Sequence, residues 1–312
     1  MALFSKRRSD GELVRDADPM GRLMPYIMKR RNESAVYYRI MIDTAPAQEF
    51  IRENRRAGKR ITMMNVMVAA LLQAIYRRPR SNRFVVGRRL YQRHSFDVSY
   101  VVKESLDDDA PEVVAQVNFD KNENIYDVAE KMTTHISAVQ TGADKGDDKL
   151  FSFFGRTPRW FLRSVINLLS FMDFHNILPN VLRKVIPFYS SAFISHLGSI
   201  GADAPYHHLY EFGTTSIFLT IGRAYDKPAK ASDGSLEWKR MMDIAVTIDE
   251  RICDGYYLIK TLKTMESYIR DPWKLIEPVT HSDDEEEAKG RRFFSKKRKQ
   301  TADDAAWQEF II

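Results

Sequence analysis

Residues 243–271 read DIAVTIDERICDGYYLIKTLKTMESYIRD, and this stretch decides the fold. Its apolar, β-branched opening continues a strand predicted over Met241 to Ile248. The charged run DERICDG, Asp249 to Gly255, interrupts that pattern. From Tyr256 apolar residues recur at helical spacing as far as Ile269, and Pro272 stops the helix. A strand, a tight charged turn and an amphipathic helix therefore follow one another directly. Cys253 sits on the turn, where Asp249, Glu250 and Asp254 oppose ionisation of its thiol, so packing is its expected role.

Working outward, Ala35 to Thr44 has the aromatic and β-branched content of a strand, and Pro46 opens a helix that stops at Gly58. Thr62 caps a helix over Met63 to Tyr76 that is apolar on nearly every side and so belongs inside the core. Phe84 to Leu90 reads as a hairpin, Phe96 to Lys103 and Val113 to Phe119 as strands, and Ile125 to Val139 as a helix. Trp160 to Ile186 reads as two amphipathic helices split near Asn176 to Pro179, with core or interface packing, a membrane surface or an acyl-chain site as their roles. Charges and prolines break that stretch before it reaches the ~18 apolar residues a membrane span needs. Further strands are predicted at Ser191 to Leu197 and Ser216 to Ile221. Strands and helices mixed at these separations indicate an α/β domain with a mixed sheet flanked by helices.

The chain has 312 residues, 44% of them hydrophobic and 29% charged, which supports a full core and argues against wholesale disorder. One cysteine rules out an internal disulfide framework and a Cys-rich metal site, and fits a reducing, cytoplasmic setting. The histidines lack metal-ligand spacing, so no metal is expected. No GxGxxG or Walker pattern supports nucleotide chemistry. The net charge of +6 divides unevenly: the segment from His281 onward carries −1, leaving +7 on the rest. Residues 281–312 read as a disordered charged tail, 1–21 as a flexible basic N-terminus without an export signal, and 22–280 as one domain with an apolar helical insertion at 150–187. The run Lys296 to Lys299 beside Phe293 and Phe294 could touch an anionic membrane surface, and the apolar end could touch a partner protein. Nucleic acid is not an expected partner, because such runs are usually solvated tails.

The strand, the DERICDG turn and the following helix resemble the C-terminal signature of the chloramphenicol acetyltransferase and 2-oxoacid dehydrogenase dihydrolipoyl acyltransferase superfamily, in which a strand leads into HxxxDG and a helix. Phe193 to Gly201, FISHLGSIG, is similar to the family's strand and turn bearing an oxyanion-stabilising serine. MPYIMKRRNESAVYYRIMIDT, residues 24–44, is similar to its opening basic helix, Ser-containing turn and first strand. The resemblance runs from about Arg22 to Pro272. It implies a chloramphenicol acetyltransferase-like domain, a homotrimer with active sites between subunits, and CoA or an acyl-CoA thioester as ligand, the acceptor being unknown. It places Ser195 on the oxyanion serine, Asp254 and Gly255 on the DG, and Arg251 on the arginine of the acyltransferase branch. Lys29, Arg30 and Arg31 are the candidate cations for CoA phosphates. Lipoyl-bearing and subunit-binding modules are not seen ahead of the core, which points to a free-standing catalytic domain.

Position 250 falls on the family's catalytic histidine, and it is Glu250. An ordinary glutamate near 4.3 facing a thiol near 8.5 is about 4 units too weak, or roughly 5 to 6 kcal/mol for proton transfer. Burial would raise such a carboxylate, while a neighbouring Arg251 would lower it. Three readings stay open: a retained fold with lost or residual catalysis, serving as a scaffold or regulatory trimer; altered acyl transfer using Glu250; and a histidine elsewhere taking over. His196 adjoins Ser195, but alternation along a strand turns it to the opposite face. His207 and His208 follow Gly201 in a loop and are either surface groups or groups that reach a neighbouring subunit.

Overall fold

The computed structural model describes residues 8–103, 112–140, 157–231 and 233–285. In chain order the elements are β1 (Gly11–Leu13), α1 (Pro19–Ile27), β2 (Ala35–Asp43), α2 (Ala45–Arg56), α3 (Met63–Arg77), β3 (Arg83–Val86), β4 (Arg89–Arg93), β5 (Phe96–Lys103) and β6 (Glu112–Phe119). Then follow α4 (Ile125–Gln140), α5 (Arg159–Phe174), α6 (Asn180–Val185), β7 (Ala192–His196), β8 (Ile217–Lys230), β9 (Leu236–Asp249) and α7 (Gly255–Arg270).

Six strands form one sheet in the order β2-β9-β8-β7-β5-β6. β7 runs parallel to β5 and β8, while the other neighbours are antiparallel, so the sheet is mixed as expected. α2, α3, α4 and α7 share a core with the sheet, built around Ile42, Phe50, Met67, Leu71, Ile125, Ile248 and Met265. α3 is its centre: every residue from Asn65 to Ile75 is buried, because the segment offers no charge that would have to stay wet. Its start is fixed by reciprocal bonds, Thr62 Oγ1 accepting from the Asn65 N–H and Asn65 Oδ1 accepting from the Thr62 N–H at 2.9 Å. The three-stranded sheet β1-β4-β3 carries its own small core of Phe84, Val86 and Tyr91. On the far face of the large sheet Phe193, Leu209 and Phe218 pack under the segment that follows β7. Among the described residues, no helix is long and apolar enough to cross a membrane.

Three expectations change. The N-terminal stretch is not flexible from residue 8 to residue 21: β1 pairs with β4, and Arg8 is buried. Arg8 donates to Asp173 Oδ1 at 2.9 Å and to Asp10 Oδ2 at 2.8 Å, while Arg183 meets Asp10 Oδ1 at 3.1 Å. One of Arg8's two acids, Asp173, lies on α5, too far along the chain for local sequence to reveal. The strands expected to end at Ile221 and begin at Met241 continue as a paired ribbon reaching Lys230 and Leu236. Its outer half is polar and exposed, so it lacks the burial that marks a strand in sequence. The expected tail begins as ordered chain, with Asp283 accepting from Arg77 and Arg78 and Asp284 accepting from Arg80 and from the Tyr257 hydroxyl. Tail residues 286–312 and insertion residues 150–156 lie outside the described residues.

Burial, the largest single influence, would raise the Asp10 carboxyl, but its bond to Arg8 and the charges of Arg8, Arg93 and Arg183 together hold it below the usual range. Arg8→Ala therefore leaves buried carboxylates undercompensated and is expected to cost about 3–5 kcal/mol near neutral pH in urea denaturation. The deficit should shrink as pH falls below about 4, where Asp10 protonates in the variant and then in the wild type.

Candidate active site

The turn after β9 is organised by Asp249, which is fully buried. Its Oδ1 accepts from the Ser34 hydroxyl at 2.9 Å, the Arg251 N–H at 3.1 Å and Arg251 Nε at 2.8 Å. Oδ2 accepts from Arg251 Nη2 at 2.7 Å. Arg251, also buried, spends its remaining nitrogen on the Met28 carbonyl at 2.9 Å. One ion pair thereby ties the end of β9 to the Ser34 turn and to the residue that closes α1. Glu250, between these two inward residues, is exposed, and its N–H donates to the Ser34 carbonyl at 2.9 Å. Arg251 is thus committed to Asp249. Asp254 caps α7, its Oδ1 accepting from the Tyr257 N–H at 2.9 Å, and Gly255 is the first helical residue.

Glu250 and Arg251 through Gly255 line a cavity of about 520 Å³ with Arg80, Arg83 and residues around α1. Met20, Met24, Leu90 and Ile252 give it an apolar wall. Burial and the neighbouring Arg80 lower the Arg83 pKa, the mark of a cation short of compensating charge. These two arginines are the cations beside Glu250, and the sequence reading missed them. Four arginines within Arg77 to Arg83 were the available signal.

The expected phosphate cations lie elsewhere. Arg31 is buried and donates to the carbonyls of Glu211 at 2.9 Å, Tyr210 at 3.3 Å and Val85 at 3.2 Å, a structural clamp between loops. Lys29 and Arg31 line a second cavity, of about 280 Å³, which Arg251 also borders. Arg30 is exposed and lines neither cavity.

Ser195 lies near the end of β7, opposite Thr220, which in turn faces Ala245 of β9. Glu250 is two strands across and five residues further along, so the two sit about 20 Å apart in one chain by strand spacing. The turn after Ser195 packs tightly: a Cβ on Gly198 would meet the Gly222 carbonyl oxygen at 2.3 Å, which only glycine permits. His196 is half-buried and its pKa is lowered by burial. His207 stacks on Phe218 at 3.9 Å between ring centres, and burial lowers its pKa too, so it is packed against the sheet. Among the described residues, no group of three His, Cys, Asp or Glu is placed to hold a metal ion.

Burial, with Asp254 adding to it, pushes the Cys253 thiol up to about 12. At pH 7.5 the native protein should therefore react with a disulfide reagent at least ~100-fold more slowly than the urea-unfolded chain, whose thiol lies near 8.5. Equal rates would place Cys253 outside this packed turn.

Residues 190–277, which hold both β7 and the Glu250 turn, match the family model described as 2-oxoacid dehydrogenases acyltransferase (catalytic domain). No curated protein matches the chain. Among solved structures, the dihydrolipoamide acetyltransferase of Azotobacter vinelandii is 15% identical over 83% of this chain and 93% of its own, with a TM-score of 0.55. That structure was determined to address the role of a serine, a histidine and an asparagine in that enzyme's catalytic mechanism. A structure described as a probable dihydrolipoamide acetyltransferase from Listeria monocytogenes is 13% identical over 84% of this chain and 94% of its own, with a TM-score of 0.52. A truncated catalytic core of the 2-oxoacid dehydrogenase multienzyme complex from Thermoplasma acidophilum is 13% identical over 84% of this chain and 99% of its own, at 0.50. The chain has the fold of these acyltransferase catalytic domains, and its segment 190–277 carries the sequence pattern of the 2-oxoacid dehydrogenases acyltransferase family.

Proposed function

We propose that this protein binds an acyl thioester of the CoA type in the cavity beside Glu250 and transfers its acyl group to an amine. The observation that carries the reading is a single cavity holding Glu250, the cations Arg80 and Arg83, and an apolar wall. Arginines suit phosphates, and the methionines with Leu90 and Ile252 suit a pantetheine arm or acyl chain. In the proposal Arg83, together with Arg80 once it exchanges Asp284 for a phosphate, replaces Lys29, Arg30 and Arg31, because Arg31 is buried and engaged by carbonyls.

Glutamate in place of histidine decides the acceptor. A thiol or hydroxyl must lose a proton that a carboxylate is poorly able to take. A neutral amine attacks the thioester carbonyl carbon unaided, and the ammonium formed on the tetrahedral intermediate is a much stronger acid. Glu250 takes that proton, the C–S bond breaks, and the departing thiolate is protonated to the free thiol. Ser195, about 20 Å from Glu250 in its own chain by strand spacing, serves as oxyanion donor only from a second copy. A homotrimer satisfies this, and the Thermoplasma neighbour's printed identity as the core of a multienzyme complex supports assembly.

A second reading, a regulatory trimer that kept the fold and lost the chemistry, draws on the exposure of Glu250, which denies it the desolvation most perturbed catalytic carboxylates have. Calorimetry with CoA and acyl-CoAs of increasing chain length, followed by thiol release with amine and thiol acceptors, separates the two. The proposal expects binding, release dependent on the amine, and at least ~100-fold loss in Glu250→Ala, the scale of a general base. Glu250→His should move the preference toward thiol acceptors. Binding with no turnover in any combination favours the regulatory reading, and no binding at all overturns both.

A further inference from the structure

α5 is only lightly packed against the rest of the protein. Of its sixteen residues only Asp173 is buried, and Asp173 is held by Arg8. The helix is fastened at its C-terminal end, where the Phe174 carbonyl lies against Gly87 and Asn176 donates to the Tyr91 hydroxyl at 2.9 Å. Its half-buried residues, Leu162, Val165, Leu169 and Met172, face the protein. The outward side carries Trp160, 71% exposed, Leu168, 57%, and Phe171, 54%. At about 100° per residue these three fall within one strip roughly 80° wide. Arg159 and Arg163 occupy the adjoining strip with Asn167 and Ser170, all four exposed.

Charge identifies what covers this face. From Thr157 to Pro187 the only acid is Asp173, which is buried and paired, so every exposed charge on α5 and α6 (Arg159, Arg163 and Lys184) is positive. Val181 and Val185 add exposed apolar area on α6. An aromatic strip flanked only by cations is the pattern of a helix lying in the interface of an anionic bilayer. A two-fold contact of α5 and α6 with their own copies would set cations against cations, since neither helix carries an exposed acid. We infer that α5, with the outer side of α6, is a membrane-surface helix that docks the protein on anionic phospholipid. Trp160, Leu168 and Phe171 enter the headgroup boundary while Arg159, Arg163 and Lys184 meet lipid phosphates. This surface shares no residue with the Glu250 cavity, so it stands or falls independently of the proposed chemistry.

The test is flotation of the full chain with vesicles of phosphatidylcholine alone and of phosphatidylcholine with about a third phosphatidylglycerol, an anionic fraction sufficient for the electrostatic attraction described. Wild type should float with the anionic vesicles and at least tenfold less with the neutral ones. A variant carrying Trp160→Ser, Leu168→Ser and Phe171→Ser should lose at least tenfold in binding while keeping its urea midpoint, since more than half of each residue is exposed and their ring contacts stay within the helix and its end. Arg159→Glu with Arg163→Glu should lose binding comparably. A variant with Lys296, Lys297, Arg298 and Lys299 changed to Gln isolates the tail and should still float. Failure of the wild type to float, wild-type flotation of the triple-serine variant, or loss of binding in the tail variant alone would each overturn the assignment. So would a triple-serine variant whose only change is a smaller assembly by light scattering, since α5 would then be a contact between copies.

Discussion

The buried pair of Asp249 and Arg251 is the constraint on which the site depends. Taking two charges out of water costs several kcal/mol each, and the cost is met only when their lone pairs and protons are satisfied. Asp249 accepts four hydrogen bonds, from Ser34 and from three nitrogens of Arg251, and Arg251 spends its last nitrogen on Met28. The turn is therefore held by partners from the end of β9, the start of β2 and the end of α1. Glu250 lies between two residues that both point inward, and so it faces the cavity and solvent. The carboxylate's placement follows from its neighbours and would be the same for any side chain there.

That pair also shows how much was legible in the sequence. The strand, the turn and the helix after Gly255 could be read because alternation, a charged break and helical periodicity fall in consecutive segments. Asp254 as a helix cap follows from the same pattern. Which charges of the D-E-R run turn inward could not be read, since the Ser34 hydroxyl that completes Asp249's shell is 215 positions away. Arg31 illustrates the same limit: a surface phosphate ligand by composition, it is a clamp between carbonyls once Glu211 and Val85 come beside it. Arg80 and Arg83 stood in plain view, yet their relation to Glu250 exists only after β3 and the α7 turn meet.

The net positive charge takes on a different meaning in the folded chain. Arg8, Arg31, Arg78, Arg93, Arg183 and Arg251 are all buried, so much of the excess is internal structure. Burial even lowers the Arg93 pKa to about 10, with Tyr189 and Thr214 oxygens as its hydrogen-bond partners. The cations that the two proposals use are local: Arg83, with Arg80 and its partner Asp284, beside Glu250, and the exposed strip of α5. The two proposed anionic partners, a phosphate-bearing thioester and a lipid surface, would then use separate parts of one domain.

The most direct measurement of the central claim is carboxylate footprinting with a water-soluble carbodiimide and an amine, read by peptide mass spectrometry with and without an acyl-CoA. Glu250 should be labelled readily in the free protein and protected by the thioester, while Asp249, one residue away and fully buried, stays unlabelled throughout. Labelling of Asp249 in the folded protein, or labelling of Glu250 that a saturating thioester leaves unchanged, would contradict the account.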